Sequence, residues 1–142
     1  MKHPDKEVML KAIALAKKKR SVACFIVKGD KVIARAVTTV HYVNLPTRHA
    51  EINAIEKACK KLGSLYLKGC WLYSTFEPCP MCAAACVWAK LKGVVFGANM
   101  SDRTKNFDQR VLISCESVLK QGSPKLRLYK NFLRKECKKV MF

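Results

Sequence analysis

A chain of 142 residues, half of them hydrophobic, has the material for one domain with a sizeable core, which excludes an intrinsically disordered segment. No apolar run approaches the roughly 18 to 20 residues of a membrane span, and no apolar stretch follows Met1-Lys2-His3-Pro4-Asp5 as in a secretory signal, so a cytoplasmic protein is expected. Twenty-eight Lys and Arg against ten Asp and Glu give a formal net charge of +18, which directs attention to polyanionic partners, nucleic acid first, with a generally basic proteome as the other source of such a charge.

Asp5 is placed to cap a helix running to about Lys19, with Val8, Met9, Ala12, Ile13 and Ala16 on one stripe. His3, before it, is expected in a mobile terminus. Val22 to Lys28 and Val32 to Thr38 flank Gly29-Asp30 and read as a hairpin. Thr39 to Thr47 reads as a loop, with His41 in solvent. A second helix starts near Arg48 and stops at Gly63, with Ile52, Ile55, Cys59 and Leu62 as its buried face. Cys70 to Thr75 is an apolar strand leading into Glu77-Pro78-Cys79, and a third helix runs from about Pro80 to Lys90. Val94 to Phe96 is a short buried strand, followed by a polar loop from Asn99 to about Arg110. The tail offers a helix over Val111 to Lys120, a strand over Lys125 to Tyr129, and a last helix ending near Val140. Strands alternating with helices predict an α/β sandwich with a mixed sheet.

Of the eight cysteines, six sit singly in apolar segments, where a free thiol behaves as a small hydrophobe. That pattern fits a reducing compartment better than a disulfide framework. The remaining two, Cys79 and Cys82, are three residues apart, so one turn of helix-like backbone points both sulfurs to one side. Helix N-termini carry partial positive charge and favour the thiolate. His49, at a second helix start, completes a set of three ligands for zinc and leaves the fourth tetrahedral position free for water, as in a catalytic site. Glu51, two residues from His49, is placed to accept a proton from that water and deliver it to a substrate.

Other readings explain less. A redox Cys-x-x-Cys leaves His49 and Glu51 without a purpose. A closed four-ligand site would need Cys86, which lies a further turn along the helix, roughly 6 Å away, and is better placed in the core. Glu51 as a merely solvated helix carboxylate ignores its spacing from His49.

The arrangement H-x-E…P-C-x-x-C is the signature of zinc nucleobase deaminases. With PTRHAEINAI (Pro46 to Ile55), STFEPCPMCAAA (Ser74 to Ala85) and GVVFGA (Gly93 to Ala98), the chain resembles the cytidine and deoxycytidylate deaminase superfamily, in the branch of tRNA adenosine and guanine deaminases. The segment Lys125 to Phe142 is similar to the tRNA-type ending, and Trp88-Ala89 to the guanine-type enzymes. The resemblance implies a three-layer α/β/α sandwich with a mixed five-stranded sheet, one zinc-dependent deaminase domain over residues 1–142, one zinc per chain, and a homodimer. Carried over by position, it makes His49, Cys79 and Cys82 the ligands and Glu51 the proton shuttle. The backbone at Glu77 and Cys79 then handles the leaving amine and the attacking oxygen, and the N–H of Ala50 faces the base.

Three departures bear on the substrate. Thr38 stands where relatives carry asparagine, and its hydroxyl is shorter, with a single donor. Arg48 replaces an alanine and is placed either to meet a phosphate or to fold away. Ala23-Cys24-Phe25 replaces a smaller pair. Phe107, in the polar loop, is the aromatic expected to be exposed at the base pocket, whereas Phe76, Trp71 and Trp88 suit a core.

The resemblance and the charge together favour adenosine in tRNA as substrate, with Arg127, Lys130, Arg134, Lys135, Lys138 and Lys139 as candidate phosphate contacts. A free base or nucleoside (guanine, guanosine, cytosine) is the alternative. A catalytically idle RNA-binding partner subunit is the alternative of another class, opposed by the presence of Glu51.

Overall fold

The computed structural model describes residues 2–107 and 109–142. Helix α1 (Lys6–Lys19) starts where Asp5 Oδ1 accepts the Val8 N–H at 3.1 Å, and it ends at Arg20 in the left-handed region. Strands β1 (Ala23–Lys28) and β2 (Lys31–Val37) form the expected antiparallel hairpin, with Gly29 at φ 61° in its turn. The segment expected as a loop contains a single helical turn, α2 (Val40–Val43), closed by Asn44. Then come α3 (Ala50–Leu62), β3 (Cys70–Phe76), α4 (Pro80–Trp88) and β4 (Gly93–Ala98). A short 3-10 turn over Met100–Asp102 precedes α5 (Cys115–Lys120), β5 (Arg127–Tyr129) and α6 (Arg134–Lys138).

The five strands lie in the order β2-β1-β3-β4-β5. The first two pairings are antiparallel and the last two parallel, so the sheet is mixed. Alternation along β3 sends Leu72 to a core shared with α3, α4 and α5, and Trp71 and Tyr73 to a core shared with α1 and α6. Helices therefore cover both faces, and every residue of β3 is buried, as expected for a central strand. This is the three-layer α/β/α arrangement.

Four local expectations are corrected. The buried face of α3 is Ala50, Glu51, Ala54 and Ala58, while Ile55 and Cys59 are half-buried and Leu62 is exposed. α5 begins at Cys115 rather than Val111, because its caps lie there: Ser114 Oγ accepts the Ser117 N–H, and Glu77 accepts the Cys115 N–H. His3 is not mobile; its Nδ1 lies 2.6 Å from the Tyr73 hydroxyl and its ring stacks on Trp71. Trp88 is 82% exposed, since the inward positions of α4 are Cys82, Ala83 and Cys86 and the helix turns its last residue outward. All eight cysteines are free, and Cys86 sits in the core.

Candidate active site

Two helices begin at the same place. His49 is the N-cap residue of α3 and Cys79 that of α4, with Pro80 fitting the first turn and Cys82 one step inside it. The ligand atoms of His49, Cys79 and Cys82 all lie within 4.8 Å of one another, the one such group among the described residues that is close enough to hold a metal ion. His49 Nδ1 is 3.6 Å from each sulfur. Zinc bonded to nitrogen at about 2.1 Å and to sulfur at about 2.3 Å with tetrahedral angles sets nitrogen and sulfur about 3.6 Å apart, so both His49–Cys spacings match zinc. Cys82 hydrogen-bonds to Cys79 and, with His49, draws the Cys79 thiol down to about 4; the same interaction and burial hold the Cys82 proton on.

Glu51 is only 4% exposed and lies on the inward face of the first turn of α3. Burial raises its carboxyl to about 7; its own backbone N–H opposes the shift, the charge of Cys79 adds to it, and His49 opposes it. A carboxyl that titrates near neutrality is suited to taking up and returning a proton.

Both groups open into a cavity of about 260 Å³, whose walls include Thr38, His41, Phe76 and Phe107. Thr38 sits at the end of β2, where Asn53 fastens the chain: its Nδ2 donates to Val37 O at 2.9 Å and to Thr39 Oγ1 at 2.9 Å. Phe107 is half-buried and tilted against Phe76, with ring centroids 4.4 Å apart, so it forms a wall and is less exposed than expected. Ala50 is fully buried in the core behind the ligands. Arg48 does not line the cavity; it forms an ion pair with Glu56, in the second turn of α3.

Glu77 also reaches the cavity, and its side chain has a defined task. Its two carboxylate oxygens accept the N–H of Met100 at 3.0 Å and of Cys115 at 2.8 Å. One buried carboxylate thus fastens both ends of the segment that carries Phe107. Neither Asn53 nor the side-chain role of Glu77 is signalled by local sequence. The same holds for Arg20, Ser21 and the C-terminal residues 140–142, which line the cavity although they are far from the motifs in the chain.

A three-layer α/β/α sandwich that brings a His-Cys-Cys metal group and a buried carboxylate together at two helix N-termini has the fold and site that the deaminase resemblance implies. The chain belongs to the family described as the cytidine and deoxycytidylate deaminase zinc-binding region, whose family model matches residues 2–98. Among curated relatives, the guanine deaminase of Bacillus subtilis (strain 168) is 48% identical over 77 residues, 54% of this chain and 49% of that protein. The tRNA-specific adenosine deaminase of Aquifex aeolicus (strain VF5) is 42% identical over 100 residues, 66% of each. The chain thus spans about half to two thirds of the length of these relatives. A structure solved in a study of A-to-I editing by tRNA:A34 deaminases at the wobble position of transfer RNA superposes with a TM-score of 0.74 at 26% identity, covering 95% of this chain and 96% of that one.

Proposed function

We propose that this chain, as one domain over residues 1–142, is a hydrolytic deaminase that converts adenosine in tRNA to inosine with release of ammonia. The observation that carries the chemistry is the pairing of a zinc-shaped ligand group with a buried Glu51 at the same cavity. The choice of substrate is supported by the tRNA adenosine deaminases among the relatives and by the +18 charge.

His49, Cys79 and Cys82 hold the zinc, which when bound lowers the pKa of a coordinated water to about 7. The Glu51 carboxylate takes one proton from the attacking water and places it on the ring nitrogen, then takes the second proton of the same oxygen as it becomes the carbonyl and gives it to the departing amine. Water and amine in, carbonyl and ammonia out, the proton count closes on Glu51. The backbone N–H groups of Cys79 and Ala50 and the backbone carbonyl at Glu77 orient oxygen, base and leaving group. The Thr38 hydroxyl and the Phe107 ring contact the base.

Deamination of free guanine is the second reading, favoured by the 48% identity to a guanine deaminase. We also infer a homodimer in the cytoplasm. A groove beside the exposed Trp88 and Ile113, continued by the exposed Val111 and Leu112, supplies an apolar surface of the kind that associating proteins cover. Among the described residues, no helix is long and apolar enough to cross a membrane.

The test is ammonia release by zinc-loaded protein from guanine, guanosine, adenosine, cytosine, cytidine, dCMP and an adenosine-bearing anticodon stem-loop, with Glu51→Ala as control. Turnover confined to the stem-loop supports tRNA editing. Turnover on guanine alone replaces it with the second reading. Zinc retained by both Cys79→Ala and Cys82→Ala would overturn the ligand assignment.

A further inference from the structure

The active site occupies one end of the sheet, and the opposite end carries a charge that the chemistry does not use. β3 runs from Cys70 to Phe76, and Phe76 and Glu77 line the cavity, so Cys70 lies at the far end, roughly 20 Å away. The chain passes that end in four segments, 28–31, 63–70, 89–93 and 121–127, which hold seven Lys and Arg and one carboxylate, Asp30. Residues 2–5, packed beside Trp71 and Tyr73, add one cation, Lys2, and one carboxylate, Asp5.

Strand pairing sets the cations of these segments in a line. Lys28, at the end of β1, is level with Lys31 on β2 and with Cys70 on β3. The Lys92 N–H donates to Cys70 O at 2.9 Å and the Arg127 N–H to Lys92 O at 3.0 Å, which brings the starts of β4 and β5 alongside. Lys68 stands two residues before Cys70, and all five cationic residues are exposed. Neighbouring strands are about 4.8 Å apart, so the row from Lys31 across the five-stranded sheet to Arg127 is roughly 19 Å long.

The row is also unpaired. Lys130 is held by Glu116, and Arg134 and Lys138 by Asp102. Among the described residues, no ion pair includes Lys28, Lys31, Lys68, Lys92 or Arg127. Main-chain pairing holds these like charges together without a counter-charge, and a polyanion that sheds its own counterions gains by meeting them at once.

We propose that this end of the sheet is a second RNA-binding face, which takes the phosphodiester backbone independently of sequence and remote from the base being deaminated. A line of cations on a rigid sheet fits a chain of phosphates. An anionic membrane would call on exposed apolar side chains, which here are confined to Leu65 and Tyr66 in one of the four segments. The choice of RNA over DNA rests on the RNA reading of the active site.

A fluorescent, blunt-ended RNA duplex tests this, because a paired base cannot enter the catalytic cavity and the duplex reports on the face alone. Binding is followed by anisotropy over a salt series with zinc-loaded full-length protein. Lys28→Gln/Lys31→Gln/Lys92→Gln removes three charges at exposed positions, and its zinc content and circular dichroism check the fold. It is expected to weaken binding at least about ten-fold at about 100 mM salt and to make the slope of log K against log salt shallower by about 2.7, three phosphates at about 0.9 each. Lys11→Gln/Lys17→Gln/Lys135→Gln removes the same charge from α1 and α6 and is expected to stay within about three-fold of wild type. Equal losses in the two triple variants show that net charge alone binds and overturn the face, as does absence of wild-type binding at about 50 mM salt. A DNA duplex of the same sequence bound as tightly overturns the choice of RNA. Phosphatidylcholine–phosphatidylserine vesicles that bind wild type but not the first triple variant, and displace the RNA, show a membrane face instead. Turnover on guanine alone, with RNA still held through these lysines in preference to DNA, overturns the RNA reading of the active site and supports the face by itself.

Discussion

The carboxylate of Glu77 holds two backbone segments at once, and replacing it with glutamine isolates its role. Its side chain is 6% exposed and its two oxygens each accept one backbone N–H, from Met100 and from Cys115. Glutamine keeps the volume and one oxygen. Its amide group then faces a second N–H, so one buried backbone donor loses its acceptor. A buried donor left unpartnered costs about 1–3 kcal/mol, and hydrogen bonds to a charged acceptor are worth about 1.5–3 kcal/mol. Removing a buried charge returns part of that by cancelling its desolvation. The net expectation is a loss of about 2 kcal/mol in unfolding free energy. The damage falls on the segment between the two anchors, which carries Phe107 into the cavity wall, while His49, Cys79, Cys82 and Glu51 stay in place. Urea denaturation of the zinc-loaded variant measures the stability. Steady-state kinetics on the substrate identified for the wild type is expected to show KM rising several-fold and kcat changing less. Stability within about 0.5 kcal/mol of wild type, together with an unchanged KM, would show that the two bonds do not anchor the loop.

Phe107→Ala is expected to raise KM about ten-fold, the loss of one stacked base contact, with zinc content unchanged; an unaltered KM removes Phe107 from the pocket. Arg48→Ala should leave turnover within two-fold and stability within about 1 kcal/mol, since its partner Glu56 is a half-exposed surface carboxylate. A large fall in activity would mean that Arg48 reaches the substrate despite that pairing. Asp102, drawn down to about 2 chiefly by the Arg134 guanidinium, contributes stability that is present above the ordinary carboxyl value of 3.8 and lost as pH falls through about 2. Acid unfolding followed by circular dichroism should therefore show a shallower pH dependence between about 4 and about 2 for Asp102→Asn than for wild type. Identical curves would show that the pair between α6 and the turn after β4 adds nothing.

The metal ligands were legible in the sequence because their chemistry is local: a Cys-x-x-Cys at a helix start and a His-x-Glu at another need only helical geometry to be aimed. Thr38 and Phe107 were legible as cavity residues, whereas Arg20 and Phe142 were not, because only the fold brings those distant positions to the same wall. The tail was misjudged at Val111 to Ile113 for a related reason. These residues suit a helix by pattern, but the caps that start α5 belong to Ser114 and to the distant Glu77.

The face through which α3 packs decides where Glu51 lies. The largest apolar side chains of α3 are Ile52, Ile55, Cys59 and Leu62, and by size alone they make its buried face. The structure instead buries the small residues Ala50, Ala54 and Ala58, roughly a quarter-turn away. Alanines let the helix lie close to β1 and β2, its main partners in the sheet, and its axis fixes where its first turn ends up. Glu51 is on the alanine side, three residues before Ala54 and seven before Ala58, so the packing that buries the alanines also carries the carboxylate into the cavity. Burial is in turn what raises its carboxyl to about 7. The packing that buries the small residues on that face thus also buries the proposed proton shuttle and sets the spacing between helix and sheet.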